Sequence, residues 1–71
     1  MKFNELVKEF NIINDRYVQV GDLVYIPSQG NVFTVLDTFT GLVKIQLSDR
    51  VTMTVPHSEY RIVEKKVEDN V

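Results

Sequence analysis

The 71 residues of this chain predict a mainly β fold, with five short antiparallel strands closed into one small barrel behind a short N-terminal α-helix. Three observations carry that expectation. Apolar residues recur at helical spacing only over the first dozen positions, and afterwards they alternate with polar ones. Glycine, proline and aspartate fall between the alternating runs, where turns need them. The links between runs are too short to hold a crossover helix, so successive strands have to be antiparallel neighbours.

Phe3, Leu6, Val7 and Phe10 share one helical face, with Lys2, Glu5, Lys8 and Glu9 on the others, so residues 3–12 read as an amphipathic helix that Asn4 caps. A helix this short is marginal alone in water, so its apolar face must rest on this chain, on a second copy or on a partner; docking on its own barrel is the expectation. Asn11 to Asp15 reads as a polar exit. The barrel then spans 17–66. In VQVGDLVYIP the first strand stops at Pro27, which cannot donate to a ladder. SQGN is a turn with Gly30 available for positive φ. NVFTVLDTF, the second strand, is apolar on both faces, so either Phe33 and Val35 or Val32 and Leu36 point inward. Thr40 and Gly41 turn the chain into LVKIQLS, where Val43, Ile45 and Leu47 alternate with Lys44, Gln46 and Ser48. Asp49 and Arg50 form a tight link to Val51, Met53 and Val55, and RIVEK is the fifth strand. Residues 67–71 read as a frayed tail. Closing the sheet on itself would remove its edges and leave a dry interior with no room for a reaction centre.

Seventy-one residues hold one core, so the chain is expected to be a single domain, 1–71. It has no cysteine and one histidine, so no disulfide framework, zinc set or resident cofactor is expected. Charged residues interrupt MKFNELVKEF, no run is long enough to span a membrane, and a cytoplasmic protein is the expectation. Eight basic side chains face ten acidic ones, and Glu68 and Asp69 in the tail account for the surplus. Such a balance disfavours nucleic acid, because phosphate neutralisation supplies most of that affinity. Asp22, Asp37 and Asp49 sit at or near turns, where aspartate bonds local backbone, and no spacing pairs them for acid–base work. No phosphate-cradling loop or nucleophile elbow is present, and an enzyme is not expected.

The run VGDLVYIP, a glycine turn before a strand, and then VKIQLSDRVTMTVPHSEYRIVEK resemble the Src-homology-3-like small β-barrels, particularly the Tudor and KOW types, over residues 18–65. The resemblance implies a single 3₁₀ turn at PHSEYR before the last strand. His57 then belongs to a connector and reads as a surface or packing residue. Tudor-type barrels hold methylated side chains in an aromatic cage. Here Phe33 falls near the aromatic strand position, but Arg50 stands where another aromatic is expected, so the cage is incomplete. The loop SQGN is too short to wall a proline-peptide groove. What remains expected is a small non-enzymatic protein-interaction module, an accessory or regulatory protein of the kind bacteria and phages encode. It would bind a protein partner or itself through Phe3, Phe10, Tyr17, Tyr25, Phe39 and Tyr60. The alternative is a KOW-like nucleic-acid contact through Lys44, Arg50, Arg61, Lys65 and Lys66.

Overall fold

The computed structural model describes residues 1–67, so Glu68, Asp69 and the rest of the expected tail beyond Val67 lie outside the described residues. The chain is mainly β. A helix α1 (Phe3–Glu9) runs directly into β1 (Phe10–Ile13), and β2 (Leu23–Ile26), β3 (Asn31–Phe39), β4 (Leu42–Ser48), β5 (Val51–Pro56) and β6 (Arg61–Lys65) follow. A 3₁₀ turn, His57–Glu59, joins β5 to β6. No helix among the described residues is long and apolar enough to cross a membrane.

The turns form where backbone chemistry places them. Gly30 (φ +67°) closes the β2–β3 turn, its N–H reaching the Ile26 carbonyl at 2.8 Å, and Gly41 (φ +89°) closes β3–β4. Both conformations lie in the left-handed region that glycine enters without strain.

Three expectations are corrected. The helix ends at Glu9 rather than residue 12, because Phe10, Asn11, Ile12 and Ile13 pair with Lys65, Glu64, Val63 and Ile62 of β6. Phe10 thus belongs to a sixth strand, and the β-branched Ile12 and Ile13 suit an extended chain better than a helix. Lys2, not Asn4, occupies the helix N-cap; its carbonyl accepts from the Glu5 and Leu6 N–H groups, each at 3.0 Å. The sheet is also open. Its order is β1-β6-β2-β3-β4-β5, every pairing antiparallel, with no ladder joining β5 to β1 among the described residues. The added strand caps β6 and leaves β5 as a free edge.

Opening the sheet does not wet the core. The inner faces of β2 to β6 meet in one cluster of Val24, Ile26, Val35, Val43, Ile45, Val55, Tyr60 and Ile62, and no polar or charged residue is buried among those described. The case for a dry interior therefore rests on packing rather than on closure. The opposite face of β2 and β6 is apolar too, and α1 covers it by pressing Leu6 onto Tyr25 and Val63, with Phe10, Ile12, Leu23 and Val32 around them. Burying Leu6 completely is worth about 1.5–3 kcal/mol. The ambiguous strand β3 serves both faces. Phe33 and Val35 point into the main cluster and Val32 lies on the helix side, whereas Leu36 is turned outward beside the bulge between Val35 and Asp37.

Candidate interaction surface

The segment between β1 and β2, residues 14–22, has no ladder of its own, so its shape comes from side chains. Arg16 grips the Asp22 carboxylate with both terminal nitrogens, at 2.7 and 3.0 Å, and Nη1 also donates to the Tyr17 carbonyl at 3.2 Å. The same carboxylate accepts the Gln19 N–H at 2.7 Å, and the Asp22 N–H returns to the Gln19 carbonyl at 3.0 Å. Gly21 (φ +92°) and Asp22 then join β3, through Gly21 N–H to the Val35 carbonyl and Val35 N–H to the Asp22 carbonyl, both 2.9 Å. Val18 roots the segment in the main core. With the backbone held at these points, Tyr17 stands 93% exposed and Val20 61% exposed.

The ionisable groups here are shaped by that clamp. The hydrogen bonds from Arg16 hold the Asp22 carboxyl below the usual aspartate range; partial burial opposes them, and the Gln19 N–H and the Arg16 charge reinforce them. Arg16 is held further toward its charged form by the same bond. Burial, with a smaller contribution from the Asp22 charge, pushes the Tyr60 phenol above its ordinary value. Of the other aspartates expected at or near turns, Asp37 lies within β3, beside the register shift, and accepts the N–H of Thr38 at 2.9 Å, whereas Asp49 sits in the β4–β5 turn.

The aromatic residues expected to bind a partner are divided among different places. Tyr25 and Tyr60 are buried, which corrects their assignment to a binding surface. Tyr25 lies under the helix, where its hydroxyl donates to the Met1 carbonyl at 3.2 Å. Tyr60 fills the main core, and its hydroxyl donates to His57 Nδ1. His57 Nε2 in turn donates to the Phe39 carbonyl at 3.3 Å, so the imidazole ties the 3₁₀ turn to the end of β3. Phe10 packs beneath the helix, and Phe33 packs, partly buried, against the main core. Phe3, at 58%, and Phe39, at 49%, are exposed on separate elements. Of the six aromatics, Tyr17 is the one presented on a pinned loop. Arg16, its immobilising neighbour, was legible only as a charged residue, because nothing in the local spacing links it to Asp22.

The basic residues are also dispersed. Lys44 lies on β4 opposite Asp37, and Arg50 sits in the β4–β5 turn. Arg61 shares a shallow groove with Pro27, Ser28, Ser58 and Glu59. Lys65 and Lys66 flank Lys8 and Glu9 at the end of α1, where Lys66 donates through Nζ to the Val7 carbonyl at 2.6 Å and through its backbone to the Glu9 carbonyl at 2.8 Å. Phe10 is the C-cap of α1, and Lys66 supplements it from just beyond β6 by donating to the last carbonyls, where a cation is favoured. In the sheet, β2 and β3 separate β6 from β4. Among the described residues no group of three metal-ligating side chains converges. Comparison of the chain with known protein families, with curated proteins and with solved structures finds no match.

Proposed function

We propose that this chain is a non-enzymatic protein-interaction module that engages a protein partner through the 14–22 loop, with Tyr17 as its anchor. The observation that carries the reading is the combination of a nearly fully exposed tyrosine with a loop backbone clamped by the Arg16–Asp22 pair. A tyrosine held on an ordered loop contributes large contact area while losing little conformational freedom on binding. Val20 extends the apolar surface beside it. The dispersed lysines and arginines, one of them committed to the helix end, favour a protein rather than a phosphate backbone.

The test compares capture from cell lysate by the wild-type chain and by Tyr17→Ala, each with and without nuclease. A partner retained after nuclease and lost with Tyr17→Ala, at an unchanged melting temperature, is the expected result. Capture that disappears with nuclease would move the reading to nucleic acid. Capture indifferent to Tyr17 would remove the loop from it.

A further inference from the structure

The open sheet leaves two edges, and they are not alike. β1 is four residues long and continuous with α1, whereas β5 is six residues long and contains no charged side chain: Val51, Thr52, Met53, Thr54, Val55, Pro56. An edge strand pairs readily with another strand unless charge, proline or a bulge prevents it; here Pro56 stands at the last position and the register with β4 shifts between Gln46 and Ser48, so the regular run of the edge is Thr52 to Val55.

The phase of the free edge follows from the observed bonds. His57 N–H donates to the Gly41 carbonyl at 3.2 Å, and the register continues as Pro56 opposite Leu42, Val55 opposite Val43 and Met53 opposite Ile45. Facing pairs in an antiparallel ladder alternate between bonded and non-bonded, so Val55 and Met53 spend their backbone groups on β4. Thr52, Thr54 and Pro56 direct theirs outward. Pro56, which lacks an N–H, falls where β4 requires none. Thr52 and Thr54 are exposed, and their outward groups meet no strand among the described residues.

Residues 51–55 read Val-Thr-Met-Thr-Val in both directions. We propose that a second copy of this chain pairs antiparallel with β5 about a two-fold axis through Met53, joining two six-stranded sheets edge to edge. In that register Thr52 faces Thr54 of the second copy and Thr54 faces its Thr52. These are the residues whose backbone groups point outward, so each facing pair exchanges both ladder bonds. Their side chains form threonine pairs on the solvent face, a favourable cross-strand combination. Met53 meets its own counterpart on the inner face, and Val51, 49% exposed in the single chain, lies at the end of the paired run opposite the backbone of Val55, whose own side chain stays in its core. A shift by two residues in one direction brings Pro56 opposite Thr52, inside the run, and loses a donor; in the other it sets Arg50 opposite Thr54 and Asp49 opposite Val55. The palindrome thus selects a partner and a register together. This interface is independent of the Tyr17 loop.

Sedimentation equilibrium of the full chain from micromolar to millimolar concentration is expected to show a monomer–dimer equilibrium. Thr54→Pro removes an outward donor and no β4 ladder bond; it is expected to weaken the dimer at least tenfold, with the melting temperature unchanged at concentrations where the wild type is monomeric. Cysteine supplies a register-specific test that does not depend on that variant folding, because the chain has no cysteine of its own. A non-bonded facing pair brings Cα atoms to about 4.5 Å, within disulfide reach. Met53→Cys should cross-link two chains under oxidised glutathione, and Thr52→Cys, which faces Thr54, should not. A chain that stays monomeric at millimolar concentration overturns the proposal and leaves the edge to a strand of another protein. So does a dimer insensitive to a folded Thr54→Pro, or cross-linking that is equal for the two cysteine variants.

Discussion

Tyr60, His57 and the Phe39 carbonyl form a chain of hydrogen bonds linking the core, the 3₁₀ turn and the end of β3. The one neutral tautomer that satisfies both contacts carries its proton on Nε2 and accepts at Nδ1. His57→Ala therefore leaves the hydroxyl of a buried tyrosine without its partner. It is expected to cost about 1–3 kcal/mol, read as a drop of several degrees in a thermal melt, and Tyr60→Phe added to it should recover part of the loss. The Arg16–Asp22 clamp is expected to contribute to stability on the acid limb. The folded carboxyl titrates lower than the unfolded one, so its contribution is complete above the ordinary aspartate value of about 3.9 and disappears as pH falls through the lower folded value. Asp22→Asn should flatten that limb in melts from pH 2 to 6. Tyr60 works in the opposite direction. With its phenol raised, its contribution is complete below about pH 10 and is lost as pH climbs through the higher folded value, a slope that Tyr60→Phe should reduce.

At the scale of elements, the junction between α1 and β1 shows how two codes overlap. Phe10 continues the spacing of Phe3 and Leu6, so a helix through residue 12 follows from periodicity; the unpaired edge of β6 supplies the competing offer, and four residues of ladder decide it. A second signal was present and points the same way. LVYI in β2 and the adjacent Ile62 and Val63 in β6 are apolar at consecutive positions, the mark of strands covered on both faces. The helix supplies that cover through Leu6 rather than through its whole apolar face. Leu6→Ala is expected to lower stability by about 2–5 kcal/mol, whereas Phe3→Asp, on an exposed residue of the same helix, should stay within about 0.5 kcal/mol. Parallel denaturant titrations of the two variants separate docking on this sheet from a helix reserved for a partner.

Across the whole molecule, charge and edges set what the chain can meet. Of its basic residues, Lys44 lies on β4, Arg50 in the β4–β5 turn and Arg61 in its groove, while Lys8, Lys65 and Lys66 meet beside Glu9 at the end of α1. Fluorescence anisotropy with short RNA and DNA strands is expected to show no association at micromolar protein in physiological salt, and steep salt-dependent binding would contradict that distribution. The same scale explains why a closed barrel was expected and an open sheet found. Five strands can close, but when the residues after α1 extend beside β6, the edge needed for closure is occupied and β5 remains free.

Alternation, turn chemistry and composition by themselves determined strands β2 to β6, the glycine turns at 30 and 41, the stop at Pro27, and a core without polar groups. These are properties of neighbouring residues, and φ preference and side-chain period act over a few positions. Only the tertiary structure decided that Phe10 is a strand residue, that Tyr25 and Tyr60 face inward while Tyr17 faces water, and that Arg16 reaches Asp22. Each of those outcomes depends on which surfaces meet across the fold, and an aromatic or charged side chain has the same local signature whether or not its partner is waiting there.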